Sequence, residues 1–372
     1  MRVLITGSKG FIGSNLSIRL KEAGGCTVSE FDVGSAENEL EEALVTADIV
    51  YHLAGVNRPS DPADFERGNH GLTARLLRVL ENARRKPLFV LSSSTQAGLE
   101  NAYGDSKRQA EEEVFAYAER TGGPVAVYRL HNVFGKWSRP NYNTVVATFC
   151  SNAAHGIPLR VDDPDKELDF LYIDDVVKEL MSYAKGRAAS TAGPRALLAV
   201  SPVLRISLGR LAATIEEIAR TRTAGTIPDL DDVFVRYLGS MYLTYVDKDA
   251  LQYGLTKKED HRGYLCELLK SRHVGQVFMS VTRPGVKRGD HYHHTKVEKF
   301  IVVKGTGLIR LKHVLNGDVH EYRVRGEDCQ VVDIPPGFAH SISNVGEEDM
   351  ITLFWANEIF NPESPDTFPM ES

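Results

Sequence analysis

Short hydrophobic runs alternate with amphipathic segments along the first half of the chain. The runs are rich in Val, Ile and Leu and predict buried parallel strands at Val3–Thr6, Ile49–Leu53, Pro87–Ser92 and Val125–Tyr128. Apolar positions with helical spacing predict helices at Phe11–Ala23, His70–Ala83, Ser106–Arg120 and, after the N-cap Ser207, Leu208–Thr221. This alternation is typical of α/β folds, so we expect a doubly wound parallel sheet of the Rossmann type.

The pattern changes after about residue 244, where helical spacing gives way to short apolar runs separated by Gly, Pro and Asp. These runs predict strands at Val274–Val281, Lys299–Val303, Gly307–Leu311, Gln330–Ile334 and Ile351–Trp355. Many short strands with turn signals indicate a β-sandwich or barrel. We therefore predict an α/β domain over residues 1–244 and an all-β domain over residues 245–372.

Composition narrows the classes of function. The chain has 372 residues, of which 42% are apolar and 25% charged, with a formal net charge of -6. A mildly acidic globular chain gives no reason to expect a nucleic acid or a membrane surface as partner. Its four cysteines are scattered, with no CxxC pair, which fits a reducing compartment. The chain enters a strand directly and has no long apolar run, so we expect a cytoplasmic protein.

Three glycines, Gly7, Gly10 and Gly13, lie at the first strand–helix junction. Missing side chains let backbone N–H groups approach a pyrophosphate, and the helix N-terminus favours its negative charge. The spacing is GxxGxxG rather than GxGxxG, and a tight turn with close helix packing is the alternative. The position of the loop favours a nucleotide cofactor site, which also includes Lys9, Phe11 and Ile12.

The choice of cofactor depends on two nearby residues. Asp32 ends the second strand, where a carboxylate binds a ribose 2′-hydroxyl and favours NAD. Lys9 inside the loop would instead suit the 2′-phosphate of NADP. Leu53 and Ala54 follow a later strand, where small residues let the backbone meet the adenine side. Both NADPH and NADH therefore remain candidates.

Tyr103 and Lys107 are four residues apart, which on a helix puts them on one face. An ammonium near a phenol lowers the phenol pKa and suits it to proton exchange with a substrate oxygen. A lone YxxxK is often structural, but Ser94 follows a strand at the expected ligand-binding edge of the sheet. We therefore predict Ser94, Tyr103 and Lys107 as a catalytic set.

A second cluster lies near residue 300. His291 and His293 alternate along a strand, Glu298 begins the next strand, and His340 follows a Pro335–Gly337 turn. Imidazole and carboxylate ligands suit a divalent metal, with zinc as the main candidate and manganese, iron or nickel as others. The spacings match both cupin motifs, which predicts a cupin barrel. The alternative is a metal-free cupin whose histidines hydrogen-bond within the barrel.

Up to about residue 240, these motifs resemble an extended short-chain dehydrogenase/reductase of the nucleotide-sugar type. The resemblance implies that Tyr103 is the acid/base, that Lys107 lowers its pKa and binds the nicotinamide ribose, and that Ser94 orients the carbonyl. The link from serine to tyrosine is eight residues, shorter than in most members, so Thr95 is an alternative to Ser94.

The second half also resembles nucleotide-sugar 3,5-epimerases, in segments that include 260–267, 276–280 and 287–291. In those enzymes the histidine that follows Arg-Gly is the proton-abstracting base, and here it coincides with the predicted metal ligand His291. A histidine bound to metal has no free lone pair, so it cannot also be that base. The remaining base candidates are Tyr292, His294, Lys296 and Glu267.

In this order, the two halves resemble bifunctional bacterial enzymes that make UDP-2-acetamido-2,6-dideoxy-L-talose, the precursor of N-acetyl-L-fucosamine. The resemblance implies C3 epimerisation of a UDP-activated 4-keto-6-deoxy amino sugar, C4 reduction with NADPH, and a homodimer. Three alternatives remain: a dTDP-sugar pathway of the rhamnose type, a reductase with a sugar-sensing cupin, and a non-enzymatic redox sensor.

Overall fold

The computed structural model describes residues 1–57, 59–142, 144–187, 195–223, 226–255, 258–260, 263–265, 275–358 and 360–372. Its helices are α1 (Phe11–Ala23), α2 (Glu37–Thr46), α3 (Ala63–Phe65), α4 (Leu72–Asn82), α5 (Ala102–Thr121), α6 (Val145–Ala154), α7 (Ile173–Ala184), α8 (Leu208–Arg222) and α9 (Val233–Leu243). A π-helical turn, Glu66–Gly71, joins α3 to α4.

The first group of strands is β1 (Arg2–Thr6), β2 (Thr27–Phe31), β3 (Ile49–His52), β4 (Leu88–Ser94), β5 (Val125–Leu130), β6 (Asn132–Phe134), β7 (Glu167–Tyr172), β8 (Leu197–Leu198) and β9 (Leu204–Ser207). The second group is β10 (Gln252–Gly254), β11 (Lys258–Asp260), β12 (Gly263–Leu265), β13 (Gln276–Thr282), β14 (Lys287–Tyr292), β15 (Glu298–Lys304), β16 (Thr306–His313), β17 (Val319–Arg325), β18 (Gln330–Ile334), β19 (Phe338–Asn344), β20 (Met350–Ala356) and β21 (Phe368–Pro369).

A six-stranded sheet in the order β2-β1-β3-β4-β5-β8 forms the centre of the N-terminal part, and its neighbouring strands run parallel. β3 is buried along its whole length and β1 along all but its first residue, as expected of strands covered by helices on both faces. The chain order reverses between β1 and β3, where such sheets bind ligands beyond the carboxyl ends of their strands. The predicted Rossmann-like sheet is confirmed.

The helix around the predicted catalytic pair has well-defined ends. The Asn101 side chain caps α5 by accepting from the N–H of Gly104 at 2.8 Å. At the other end, Gly122 adopts a left-handed conformation with φ of 69° and terminates the helix. α5 is therefore longer than the predicted Ser106–Arg120 and includes Tyr103 in its first turn.

The C-terminal part is built from antiparallel strands. One five-stranded sheet has the order β10-β18-β15-β20-β13 and another has the order β17-β16-β19-β14-β21. The predicted β-rich domain is confirmed, but its described strands form these two sheets and a separate β11-β12 pair and do not close into a barrel. α9 precedes this domain and was missing from the sequence-based prediction.

Contacts divide the chain into two compact units. One comprises residues 1–134, 141–144 and 168–205, and the other comprises residues 135–140, 145–167 and 206–372. This division differs from the predicted boundary at residue 244, because α6, α8 and α9 belong to the unit that contains the antiparallel sheets. The N-terminal unit contains the glycine loop and the Tyr–Lys pair, and the C-terminal unit contains the histidine cluster.

None of the helices in the described parts of the chain has the length and apolarity needed to cross a bilayer. Cys26, Cys150 and Cys329 are free thiols, whereas Cys266 lies outside the described residues.

Candidate active site and metal centre

The glycine loop joins β1 to α1 through very close backbone contacts. Gly7 has a φ of 69°, and a Cβ there would lie 2.6 Å from the backbone nitrogen of Ala54. A Cβ on Gly13 would lie 2.0 Å from the Gly7 carbonyl oxygen. A larger residue at either position would force apart β1, α1 and the segment after β3. The loop is therefore a tight turn with close packing of helix and strand.

The first turn of α1 suits an anion. Its N-cap is Gly10, and within the described chain no side chain caps this end and no acidic residue lies in the first turn. The predicted residues Phe11 and Ile12 open this turn. Backbone N–H groups and the helix dipole together favour a phosphate at such an end.

The remaining predicted cofactor residues lie along the same sheet edge. Asp32 follows β2, and its carboxylate accepts from the N–H groups of Lys9 at 2.7 Å and Val33 at 2.8 Å. Leu53 and Ala54 follow β3, where their N–H groups donate to the Thr6 carbonyl at 3.2 Å and the Thr6 hydroxyl at 3.4 Å. The fold thus brings together every residue that the sequence predicted for the cofactor.

Ser94 ends β4 and Tyr103 lies in the first turn of α5, where a hydrogen bond connects the two side chains. Lys107 lies one turn further along, with its Nζ 5.9 Å from the centre of the Tyr103 ring. Thr95 is exposed and Ser94 half-buried, so the contact with Tyr103 favours Ser94 over Thr95.

Burial raises the pKa of Tyr103, and the hydrogen bond with Ser94 works in the opposite direction. The net shift is upward because loss of hydration is the largest effect at the phenol. A raised pKa keeps Tyr103 protonated at neutral pH, so its hydroxyl is available as a proton donor.

Lys107 is buried among backbone groups. Its Nζ donates to the Ser92 carbonyl at 3.3 Å, and a Cβ on Gly55 would lie 3.0 Å from the same nitrogen. Burial lowers the pKa of Lys107 to about 8, while Glu111 acts to raise it. The ammonium form therefore predominates at neutral pH, with a pKa supported by a carboxylate one helical turn away.

Sequence reasoning missed the groups that hold this set in place. Glu111 is buried, forms an ion pair with Arg129 at 2.6 Å and accepts a hydrogen bond from Ser93 beside Ser94. Asn69 donates to the Ser106 hydroxyl at 2.9 Å and accepts from the Val56 N–H, also at 2.9 Å. Asn69 lies far from the motif in sequence. Glu111 is one helical turn past Lys107 on α5, but its ion pair with Arg129 and its contact with Ser93 depend on strands outside the motif.

The four predicted metal ligands come together in the C-terminal unit. His291, His293, Glu298 and His340 offer ligand atoms that all lie within 4.8 Å of one another. β14 and β19 carry His291 and His340 in one sheet, and β15 carries Glu298 in the other, so the cluster lies where the sheets face each other. The N–H of Gly337 donates to the His293 carbonyl at 2.9 Å, joining the turn before His340 to this group.

Hydrogen bonds orient two of the imidazoles. Nδ1 of His293 donates to the Asp366 carbonyl, and Nδ1 of His340 lies 3.2 Å from the Phe338 carbonyl. Because a carbonyl only accepts, each Nδ1 carries the proton and each Nε2 carries the lone pair.

The atoms that point into the cluster are those that a metal requires. Nε2 of His293 and Nε2 of His340 lie 3.4 Å and 3.2 Å from Oε2 of Glu298. Both nitrogens are buried and, among the described residues, have no hydrogen-bond partner. Two nitrogen lone pairs facing a carboxylate are left unsatisfied, and a divalent cation between them would satisfy all three groups. The donor set therefore fits a metal ion.

Local electrostatics agree with this donor chemistry. Burial lowers the pKa of His291 to about 4, helped by His340 and His293, so the imidazole is neutral. Burial alone would raise the pKa of Glu298, but His293 and His340 hold it well below its usual range. A neutral imidazole and an ionised carboxylate are the ligating forms.

The predicted base candidates differ in their surroundings. Tyr292 and His294 pack against Phe368, with ring centres 5.8 Å and 4.9 Å from it. Lys296 is almost fully buried beside a cavity of about 260 Å³, and its Nζ lies 3.4 Å from the Thr367 hydroxyl. Glu267 lies outside the described residues.

Two family models match the chain. The NAD dependent epimerase/dehydratase family matches residues 3–193, and the polysaccharide biosynthesis C-terminal domain matches residues 258–368. The chain belongs to the NAD dependent epimerase/dehydratase family. A Pseudomonas aeruginosa protein named UDP-2-acetamido-2,6-beta-L-arabino-hexul-4-ose reductase is 42% identical over 368 residues, covering 99% of this chain and 98% of that protein.

The chain is also similar to solved structures. The capsular polysaccharide assembling protein CapF of Staphylococcus aureus is 40% identical with a TM-score of 0.68, and each chain is covered over 100% of its length. The UDP-glucuronic acid 4-epimerase of Bacillus cereus is 19% identical with a TM-score of 0.53, covering 59% of this chain and 83% of that one. This second likeness shows the fold alone.

Proposed function

We propose that the chain is a bifunctional nucleotide-sugar enzyme of capsule or O-antigen biosynthesis. The observation that carries the proposal is the meeting of Ser94, Tyr103 and Lys107 beside the glycine loop at one sheet edge. The full-length similarity to a reductase named for a UDP-activated 4-ketohexose supports the substrate class. The C-terminal unit, proposed as a cupin with one divalent metal, supplies the epimerase.

The proposed substrate is a UDP-2-acetamido-2,6-dideoxy-4-ketohexose. Epimerisation at C3 precedes reduction of the C4 ketone, which gives UDP-2-acetamido-2,6-dideoxy-L-talose. A ketone connects the two steps chemically, since it makes the neighbouring C–H acidic and later accepts a hydride. We propose NADPH as the donor, with NADH as the second candidate, and a cytoplasmic homodimer as the working form.

In the reductase, bound NADPH supplies the hydride. The Tyr103 hydroxyl donates its proton to the developing C4 alkoxide, for which its raised pKa suits it. Ser94 hydrogen-bonds the same oxygen and orients it. The Lys107 ammonium stabilises the phenolate that Tyr103 becomes, and Glu111 supports that ammonium.

In the epimerase, His291, His293, Glu298 and His340 would hold the metal. A divalent ion at this position supplies Lewis-acid polarisation of a carbonyl oxygen. His291 cannot be the base while it is a ligand, because its lone pair is occupied. Among the remaining candidates, Lys296 lies beside a cavity, whereas Tyr292 and His294 pack against Phe368.

The reductase assignment is tested by following NADPH absorbance with a 4-keto-6-deoxy sugar that a dehydratase generates from UDP-N-acetylglucosamine. We expect oxidation that requires the sugar and is slower with NADH. No oxidation with either cofactor would overturn the UDP-sugar assignment and direct the same assay to dTDP-activated ketosugars. Reduction without C3 proton exchange in deuterated water would instead favour a sugar-sensing cupin.

The metal centre is tested by elemental analysis of purified protein. We expect about one divalent ion per chain, as in mononuclear sites with this ligand set. His293→Ala should lose the ion, while His320→Ala, on β17 outside the cluster, should retain it. Equal metal content in wild type and His293→Ala would contradict the ligand assignment.

A further inference from the structure

The segment Asp366–Ser372 runs along the histidine cluster and contacts two of its strands. β21 pairs with β14, which places Pro369 opposite His291. The N–H of Met370 donates to the Asp290 carbonyl at 2.9 Å, and the Ser372 hydroxyl lies 2.6 Å from that of Ser341. The segment is therefore bonded to the immediate neighbours of His291 and His340.

Asp366 makes the densest of these contacts. Its Oδ2 accepts from the N–H of Thr295 at 2.7 Å, the N–H of Lys296 at 2.8 Å and the Thr295 hydroxyl at 2.9 Å. Its Oδ1 accepts from the N–H of His294 at 2.9 Å. Three consecutive amides of the loop between β14 and β15 therefore point at one carboxylate.

That loop connects two of the metal ligands, His293 and Glu298. The main chain of Asp366 also acts on His293 directly, because its carbonyl accepts from Nδ1. This bond keeps the proton on Nδ1 and directs the Nε2 lone pair toward the Glu298 carboxylate. One residue thus fixes the loop through its side chain and the ligating tautomer through its backbone.

We propose that Asp366 is a positioning residue of the metal centre, setting the loop His294–Lys296 and the orientation of His293 before the ion binds. The inference rests on the proposed function, because it requires the histidine cluster to bind a metal. Outer groups of this kind typically change metal affinity about 10–100-fold when they are removed.

The test is a zinc titration of the metal-stripped full chain in competition with a chromophoric chelator. Asp366→Asn retains the size of the side chain and its backbone carbonyl but removes the charge that the amides share. We expect zinc affinity to fall about 10–100-fold with stoichiometry unchanged. Glu363→Gln, which removes an exposed carboxylate from the same stretch of chain, should bind zinc as wild type does.

A general loss of stability must be distinguished from a positioning effect. Tyr322→Phe removes a hydrogen bond to the Lys248 carbonyl elsewhere in the C-terminal unit and serves as the destabilised control. If zinc affinity falls equally in Tyr322→Phe and Asp366→Asn, or if Asp366→Asn binds as tightly as wild type, the inference is overturned while the metal centre stands. If wild type binds no zinc, both are overturned.

Discussion

The proposed proton-transfer residues, Tyr103 and Lys107, owe their pKa shifts to burial and to neighbours that the motif does not contain. Burial raises the pKa of Tyr103 and lowers that of Lys107, so it favours the neutral form of each side chain. For Tyr103 this favours the donor state, whereas for Lys107 it weakens the charge that the proposed reaction requires. Glu111 opposes the second effect, so the proposed reduction depends on a carboxylate outside the YxxxK spacing.

Replacing Tyr103 by Phe removes the proton donor and leaves the ring packed against Phe65, whose centre lies 5.6 Å away. We expect NADPH oxidation to fall by about 10²–10⁴-fold, the range for loss of a positioned acid. C3 proton exchange, followed in deuterated water, should be unchanged because the histidine cluster is intact. Loss of both activities would contradict the assignment of separate sites.

Lys107 predicts how the reductase depends on pH. Its pKa of about 8 means that the ammonium is present below that pH and is lost above it. The phenolate left after proton donation then has no neighbouring cation, so kcat for reduction should decline above about pH 8. Glu111→Gln removes the group that raises the lysine pKa, so its decline should begin at lower pH. If kcat declines over the same alkaline pH range in wild type and Glu111→Gln, Lys107 is not the titrating group.

Residues connected by short spacings could be predicted from the sequence, and residues connected only by the fold could not. Gly7, Gly13 and the Tyr103–Lys107 pair obey local rules of turn and helix geometry, so their proximity follows from the order of residues. Glu111 meets Arg129, and Asp366 meets Thr295, only because strands and loops far apart in the chain come together. The sign of the Tyr103 pKa shift was also inaccessible, because it depends on burial.

At the scale of elements, α9 is one of several helices that the sequence analysis did not predict, and its omission has a physical explanation. α9 is rich in β-branched and aromatic residues such as Val233, Phe234 and Tyr237, which favour strands when their neighbours are unknown. Its start is nevertheless fixed by Asp232, whose side chain accepts from the Phe234 N–H at 2.9 Å. Packing and this cap decide the conformation, and only the cap is visible in the sequence.

Four elements of the C-terminal unit meet at one buried carboxylate. Asp333 on β18 is fully buried and forms ion pairs, both at 2.6 Å, with Arg222 at the end of α8 and Lys299 on β15. The ring of Tyr253 on β10 lies against both cations, Arg222 and Lys299. Burial would lower the pKa of Lys299, but Asp333 raises it, so the lysine remains charged.

Replacing Asp333 by Asn leaves two buried cations uncompensated. We expect the free energy of unfolding of the C-terminal unit to fall by about 3–5 kcal/mol, as when one partner of a buried pair is removed. Asp318→Asn is the matched control, because its pair with Lys248 is exposed and should matter little. Urea unfolding followed by circular dichroism measures both. If the free energy of unfolding falls by a similarly small amount in both variants, water already stabilises the two buried cations and the ion pairs contribute little.

At the scale of the whole molecule, each proposed chemistry lies within one compact unit. Ser94, Tyr103 and Lys107 belong to the N-terminal unit, and the histidine cluster belongs to the C-terminal unit together with the Asp366 contacts. The sequence predicted this separation of motifs, since their strand patterns differ. It did not predict that α6 and α8 belong to the C-terminal unit, because membership depends on packing between distant segments.

Because the two proposed activities lie in separate units, a variant that lacks one activity should complement a variant that lacks the other. Tyr103→Phe retains the metal ligands and lacks the proton donor, whereas His293→Ala retains the reductase set and lacks a ligand. A mixture of the two purified variants should convert the 4-ketosugar to reduced product, because the epimerised ketone released by one chain is the substrate of the other. Each variant alone is the control and should give little product, measured by chromatography of the UDP-sugars. If the mixture is as inactive as either variant, the intermediate does not reach a second chain, and epimerisation and reduction must occur within one.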